Sequence, residues 1–267
     1  MTNKDPIPMY WWFRDGCKTN FGDIVSPLVV KKLSGRDIKF SRGENKLVAA
    51  GSILVHALNG DYIWGTGAHF PNEGNKRKLK ICAVRGPLTK ERLEKDGHEC
   101  PAVYGDPSML LPYIYKPDVI KRYDIGVIPH YVDYKLAKGG MYGSSINVID
   151  ILSGIKNVII ETNKCRCVLA SSLHGIMLGE SYGISTGWIR FSNKIASKEF
   201  KFQDYYLSTG RTVQVIDWTE RWNIPPALAK CYQRSKPILA RKQFLLSFPF
   251  LKDDIKELSD IETEIIK

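Results

Sequence analysis

The sequence predicts an α/β fold made of two Rossmann-like halves. Short apolar segments with the length of buried strands alternate along the chain with segments of helical spacing, which is typical of parallel sheets covered by helices. Glycine and proline separate these segments, and 267 residues are enough for two modest domains. Apolar residues make up 43% of the chain and charged residues 25%, which excludes a disordered chain, a collagen-like repeat and a small disulfide scaffold.

The first half is predicted to begin with an aromatic strand at residues 10–13. A helix follows, with Asp23 as a natural N-cap and Gly35 after its end. Pro87 at the start and Gly97 at the end bracket a second helix, in the order that helices favour. Further strands are predicted at residues 47–54, 62–64 and 79–84.

The second half is predicted to begin after a proline-dotted connection at residues 107–117. Its strands are predicted at residues 124–128, 146–149, 168–170, 184–189 and 213–216, and its helices at residues 157–165 and 174–182. We therefore expect an N-terminal Rossmann-like domain at residues 1–116, a C-terminal one at residues 117–218, and a helical tail at residues 219–267.

The chain is basic, with 39 lysines and arginines against 28 acidic residues and a net charge of +11. Such a charge favours nucleic acid, an anionic membrane or anionic small molecules as partners. No nucleic-acid recognition motif accompanies the charge, so we expect no nucleic-acid partner. Residues 219–251 mix basic and aromatic side chains and are predicted either to lie on an anionic membrane surface or to pack back across the domains.

The expected location is the cytoplasm, with the inner face of the plasma membrane as a peripheral site. No apolar stretch of 18 residues is present, and the sequence opens without an apolar signal core. The six cysteines are therefore expected to be reduced and buried, and no metal site is expected from their spacing.

The strongest candidate site follows a short apolar strand. Ser171 and Ser172 lie at its end, His174 lies in the first turn of the next helix, and Gly175 gives room for a close backbone approach. Such a turn suits a phosphate or carboxylate, with His174 placed to move a proton. A serine N-cap followed by a buried, hydrogen-bonded histidine explains the same residues, and both interpretations stay open.

Other strand ends carry further candidates. Arg85 follows a strand, and its planar guanidinium suits carboxylate and phosphate groups, although a salt-bridged arginine is the plainer interpretation. Asn20, Gly22 and Asp23 open the first helix, and His130 ends the first strand of the second half. No dinucleotide fingerprint or Walker loop is present, so no cofactor is expected.

Six segments together resemble the polysaccharide pyruvyl transferase family. They occur in the family's order at residues 20–23, 51–54, 64–67, 84–89, 104–107 and 171–175. The segments Arg-Gly-Pro-Leu-Thr and Ser-Leu-His-Gly are the most specific of these, and the resemblance covers about residues 10–217. Residues 188–191 and 201–206 resemble the branch that includes a succinoglycan biosynthesis enzyme.

This resemblance implies two Rossmann-like domains facing a cleft, as in GT-B glycosyltransferases. It also implies transfer of a pyruvyl group from phosphoenolpyruvate, a co-substrate rather than a cofactor, to a sugar of a surface glycan or its lipid-linked precursor. The product is a pyruvate ketal, and phosphate is released. His174 and Arg85 are expected to be catalytic, and Ser171, Ser172 and Gly175 to bind the donor.

The residues assigned to the acceptor or the cleft are Asn20, Gly22, Asp23 and Asp106, which lie in these segments, and His130, which is assigned from its position at a strand end.

The chain departs from the family at Ser172, where relatives often have an arginine. Arg190, Lys194 or Lys201 is expected to supply the missing positive charge, and we place Arg190 and Lys201 in the donor site. Two alternatives come from other classes. One is a GT-B glycosyltransferase that uses a nucleotide sugar, and the other is a non-catalytic glycan-assembly protein that binds membrane through its tail.

Overall fold

Two parallel five-stranded sheets form the centres of the two halves of the chain. The computed structural model describes residues 5–13, 20–140, 143–194, 199–218 and 237–252. The predicted α/β class with parallel sheets is confirmed. The GT-B-like arrangement stays a prediction.

The first sheet contains strands β1 Ile7–Tyr10, β2 Ile38–Phe40, β3 Leu47–Val48, β4 Tyr62–Trp64 and β5 Lys80–Ala83. Its helices are α1 Phe21–Ser34, α2 Pro87–Lys95 and the short α3 Leu111–Ile114, which follows a 3₁₀ turn at Pro107–Leu110. Helix α1 ends where Gly35 adopts a left-handed conformation, with φ of 65°, and donates its N–H to the Lys31 carbonyl. Helix α2 begins with Pro87, whose missing N–H costs nothing in the first turn.

The second sheet contains strands β6 Tyr123–Ile128, β7 Ile146–Val148, β8 Cys165–Ala170, β9 Ser185–Arg190 and β10 Val215–Asp217. Its helices are α4 Tyr134–Gly140, α5 Ile155–Asn163, α6 Leu173–Ser181 and α7 Phe200–Ser208. One more helix, α8 Arg241–Leu246, lies in the described part of the tail.

The two sheets have the same strand order. The first runs β2-β1-β3-β4-β5 and the second runs β7-β6-β8-β9-β10, with every paired strand parallel. In each sheet the order reverses between the first and third strands, β1 and β3 or β6 and β8. Ligands of open α/β sheets bind at the carboxyl ends of strands at such a reversal.

A continuous hydrophobic core joins the halves. One cluster of buried side chains runs from Ile7 and Val29 in the first half to Val168 and Ile176 in the second. Helix α1 packs against α5 and α6 of the second half. The reversal points of both sheets are therefore held beside each other by buried apolar contact.

The described part of the tail packs on the first half. Phe244 of α8 stacks on Trp64 with ring centroids 4.5 Å apart, and the Trp64 indole donates a hydrogen bond to the Phe244 carbonyl. Arg241 donates to the carbonyls of Met109 and Ser181, one from each half. The prediction of membrane contact at residues 219–251 falls in part on residues 219–236, which lie outside the described ranges. Among the described residues, no helix has the length and apolar character needed to cross a bilayer.

Several element boundaries differ from the predictions. The first strand ends at Tyr10 rather than beginning there, and only the first two residues of the predicted strand at 47–54 pair with a neighbour. The proline-dotted connection contains a buried 3₁₀ turn and α3. Strand β2 and helices α4 and α7 were not predicted, because β2 and α4 are short and α7 follows a basic segment that is typical of a loop.

Candidate functional site

A cavity of about 670 Å³ opens where the reversal points of the two sheets meet. Asp106, just before the 3₁₀ turn, lies in its wall, and the other lining residues follow strand ends. In the first half these are Trp12, Asn20 and Asp23 after β1, Ala50, Gly51, Ser52, Ile53, Val55 and His56 after β3, His69, Phe70 and Glu73 after β4, and Arg85 after β5. In the second half they are His130 and Tyr131 after β6, Ile151 after β7, Ser172, Leu173, His174 and Met177 after β8, and Lys201 after β9.

His174 and Asp106 form a pair in this cavity. The His174 Nε2 atom lies 3.5 Å from the Asp106 Oδ2 atom, and neither atom has a hydrogen-bond partner among the described residues. The other oxygen of Asp106 accepts from the Ser108 amide and hydroxyl, which fixes the carboxylate. Burial alone would raise the pKa of Asp106, but His174 and the Ser108 hydrogen bonds outweigh it and lower the pKa. An ionised Asp106 favours the tautomer with the proton on Nε2, leaving Nδ1 able to accept one.

The N-terminus of α1 packs directly on the His174 ring. A Cβ atom on Gly22 would lie 2.3 Å from His174 Nδ1, so the ring occupies space that only glycine leaves free. Asn20 donates a hydrogen bond of 2.7 Å to the Asp23 carboxylate. Burial raises the pKa of Asp23, and the Asn20 hydrogen bond and His174 offset part of that rise. Asn20, Gly22 and Asp23, which were predicted for the acceptor or cleft, thus all belong to the end of α1 that packs on His174.

The serine and glycine residues around His174 have different surroundings. Ser172 lines the cavity as the N-cap of α6, and its side chain makes no capping hydrogen bond, so the first-turn amides stay open to an anion. Ser171 is buried and accepts a hydrogen bond from the His130 amide instead. Gly175 does not line the cavity. It allows α6 to lie close to the sheet, because an added Cβ would come within 2.9 Å of Ile128 and Ala170.

Lys201 brings a positive charge into the cavity wall. Its side chain is partly buried, and no carboxylate in the described part of the chain forms an ion pair with it. Its ammonium lies 5.5 Å from the centre of the Phe202 ring. Burial, and then the nearby Arg85 charge, lower the pKa of Lys201 to about 8. Because burial disfavours the charged form of Lys201, an anion bound next to the ammonium would stabilise it.

Arg85 also lines the cavity, but most of its capacity is already used. Its guanidinium donates to Asp204 at 3.0 Å, to the Ser52 hydroxyl at 2.6 Å and to the Ala68 carbonyl at 2.6 Å. Asp204 belongs to α7, so this buried ion pair connects the two halves. Three of the five N–H groups of Arg85 are engaged in these contacts, which leaves two without a partner among the described residues on a side chain that is only 1% exposed.

The remaining cations predicted for the donor site lie elsewhere. Arg190 pairs with Glu199 at 3.0 Å and Asp217 at 3.2 Å and does not line the cavity. Lys194 is exposed and also lies outside the lining. Of the three cations expected to replace the missing arginine, only Lys201 reaches the cavity.

Three histidines of the cavity wall, His56, His69 and His130, are neutral near pH 7. Burial and the Lys201 charge lower the pKa of His130 to about 4. Burial lowers the pKa of His69 and of His56 as well, with Lys201 acting in the same direction on His69. These rings therefore offer hydrogen bonds without adding charge.

One wall of the cavity was not predicted. Trp12, Val55, His56, Phe70 and Glu73 follow strands of the first sheet, yet none belongs to a segment that carries the family resemblance. The carboxyl-end rule applied to the predicted strand at 47–54 would have indicated Val55 and His56. It would have missed Trp12, which fell inside the predicted strand at 10–13.

Nothing in the described ranges resembles a metal site. No group of three histidine, cysteine, aspartate or glutamate side chains is arranged to hold an ion there. Cys82, Cys100, Cys165 and Cys167 are free thiols, and burial raises the pKa of each. Cys17 and Cys231 lie outside the described ranges.

Comparison with known proteins gives two distant relatives. No protein-family model and no solved structure matches the chain significantly. The uncharacterized protein L143 of Acanthamoeba polyphaga mimivirus is 28% identical over 222 residues, covering 76% of this chain and 75% of the relative. The succinoglycan biosynthesis protein ExoV of Rhizobium meliloti is 24% identical over 218 residues, covering 77% of this chain. The match spans 65% of ExoV, less than two thirds of its length.

Substituting alanine for Gly22 tests whether α1 positions His174. The new methyl group would overlap the imidazole, so we expect the His174 ring to move and stability to fall by about 1–3 kcal/mol. The measurements are the imidazole nitrogen resonances by NMR and the free energy of unfolding by denaturant. Gly139→Ala is the matched control, since nothing lies within 4 Å of the added Cβ. Unchanged His174 resonances in Gly22→Ala would contradict the packing described here.

Proposed function

We propose that the protein transfers a pyruvyl group from phosphoenolpyruvate to a sugar of a surface polysaccharide or its lipid-linked precursor, forming a ketal and releasing phosphate. The observation that carries this proposal is a single cavity lined by Lys201, which has no carboxylate partner in the described ranges, by the N-terminus of α6 and by the His174–Asp106 pair. A trianionic donor needs positive charge and open amides, and its reaction needs a proton carrier. The name of ExoV, a succinoglycan biosynthesis protein, supports the same area of metabolism.

The donor is assigned to the second-half side of the cavity. Lys201, the first-turn amides of α6 and the Ser172 hydroxyl bind the phosphate, since oriented amides and an ammonium together favour a dianion. The two free N–H groups of Arg85 bind the carboxylate. Ser171 supports this site through the His130 backbone, and Gly175 supports it by seating α6 on the sheet.

His174 carries the proton in the first step. Protonated Nδ1 of His174 gives a proton to the methylene carbon of phosphoenolpyruvate, which becomes a methyl group, as the oxygen of a sugar hydroxyl adds to the central carbon. The proton of that hydroxyl then passes to Nδ1, so His174 ends the step as it began. Asp106 stabilises the imidazolium through Nε2–H, as a carboxylate does beside a catalytic histidine.

Phosphate leaves in the second step. The bond between the central carbon and the phosphate oxygen breaks, and both electrons go to the phosphate. A second sugar hydroxyl forms a bond to the same carbon, and its proton leaves on the phosphate. The products are the ketal and inorganic phosphate, so no oxidant, reductant or cofactor is required.

Calorimetric titration of the protein with phosphoenolpyruvate tests the donor assignment. Parallel titrations with UDP-glucose and GDP-mannose test the glycosyltransferase alternative. The phosphate monoester is fully ionised well above its second pKa of about 6, so only the protein titrates at higher pH. Lys201 is charged below its pKa of about 8 and neutral above it. Affinity should therefore fall as pH rises through 8, by about tenfold per unit beyond it. Lys201→Arg should remove this dependence, because arginine stays charged.

The controls for this titration test whether Lys201 binds the donor and distinguish pyruvyl transfer from the two alternative functions. Lys201→Met should lose binding, whereas Lys194→Met, a change of an exposed lysine in the preceding segment, should not. An affinity that is constant from pH 7 to 10 in the wild type would contradict the role of Lys201. Binding of a nucleotide sugar without phosphoenolpyruvate would favour glycosyl transfer. Binding of neither, with a lipid-linked glycan pool present, would favour the non-catalytic alternative.

Phosphate release from phosphoenolpyruvate in the presence of lipid-linked bacterial oligosaccharides tests the role of His174. Because proton transfer by a positioned side chain contributes about 10²–10⁴-fold to rate, His174→Ala should reduce turnover by this factor while donor affinity persists. His98→Ala is the control, since His98 contacts Asn75 away from the cavity. Near-normal turnover of a folded His174→Ala protein would refute the mechanism.

A further inference from the structure

The first-half wall of the cavity exposes an unusual amount of apolar surface. Trp12 is 44% exposed, Phe70 43% and Val55 50%, and all three line the cavity. The Trp12 indole stacks on the His56 ring with centroids 5.5 Å apart and planes 28° from parallel, which holds it in a defined orientation. Exposed apolar side chains grouped in a concave site indicate a ligand surface.

A carboxylate in the same wall has an unused oxygen. Glu73 Oε2 accepts from the His69 and Phe70 amides at 2.7 and 3.2 Å, which fixes the side chain on its turn. Its Oε1 atom is buried and has no hydrogen-bond partner among the described residues. A buried acceptor without a donor is costly, so a ligand donor at this point would be favoured.

We propose that Trp12, Val55, His56, Phe70 and Glu73, which we call the aromatic wall, bind a pyranose ring of the acceptor glycan. The C–H groups on the apolar face of the sugar contact the aromatic rings, whose faces are electron-rich. A sugar hydroxyl donates to Glu73 Oε1. This inference rests on the proposed function, because it names the second substrate of the same cavity.

The chemistry of the wall favours a sugar over other apolar ligands. An acyl chain would cover the rings, but it has no hydrogen-bond donor for Glu73 Oε1. The carboxyl group would then lie against hydrocarbon, which is costly. A pyranose has one apolar face and a rim of hydroxyl donors, which matches both features. The neutral imidazole of His56 adds a hydrogen-bonding group without a net charge, as an uncharged ligand requires.

Saturation-transfer NMR with methyl glycosides of glucose, galactose and mannose tests the aromatic wall. The full-length protein is titrated with each glycoside in the presence of phosphoenolpyruvate. Trp12→Ala should weaken glycoside binding about tenfold, equivalent to about 1.4 kcal/mol. Glu73→Gln, which places an amide donor where an acceptor is needed, should also weaken it. Both variants should bind phosphoenolpyruvate as the wild type does.

Phe13→Ala is the matched control for Trp12→Ala. Phe13 is also an exposed aromatic residue, at 39%, but it packs on Phe40 and does not line the cavity. Equal glycoside affinity in wild type, Trp12→Ala and Glu73→Gln would overturn the aromatic wall, as would no glycoside binding by the wild type. A wild type that binds glycosides through Trp12 but does not bind phosphoenolpyruvate would support the wall and refute the proposed donor.

Discussion

The geometry of the cavity depends on the buried hydrogen bonds and ion pair of the Arg85 guanidinium. Arg85 follows β5, and it binds Ser52 after β3 and Ala68 after β4. It also binds Asp204, which belongs to the second half. A buried arginine is stable only with its partners, and removing one member of such a pair costs about 3–5 kcal/mol. Asp204 lies one helical turn after Lys201 on α7, so the same ion pair holds α7 against the first half and brings Lys201 to the cavity.

The two sides of the cavity differ in charge and in hydrogen-bonding groups. Arg85 forms an ion pair with Asp204, and Ser108 donates hydrogen bonds to the Asp106 carboxylate, whereas Lys201 has no carboxylate partner in the described ranges. The second-half side therefore has spare positive charge for an anion. The aromatic wall of the first half instead offers apolar faces and an unused acceptor. The cavity therefore has two surfaces of different chemistry, as the proposed transfer between an anionic donor and a neutral acceptor requires.

The sequence was sufficient to predict the fold class and part of the lining of the cavity. Alternating strands and helices indicated both parallel sheets, and strand-end patterns indicated His174, Asp23, His130 and Ser172, all of which line the cavity. The partnership of Arg85 with Asp204 was not predictable, because 119 residues separate them and their contact depends on how the two halves pack. The aromatic wall was missed because exposed tryptophan and phenylalanine carry no periodic signal.

A crystal structure of the protein with phosphoenolpyruvate would show where the donor binds. We expect its phosphate oxygens within hydrogen-bonding distance of Lys201 Nζ and the first-turn amides of α6. We also expect its methylene and central carbons to lie beside His174. A donor bound outside the cavity, or inside it with Lys201 and His174 out of contact, would refute the proposed donor site.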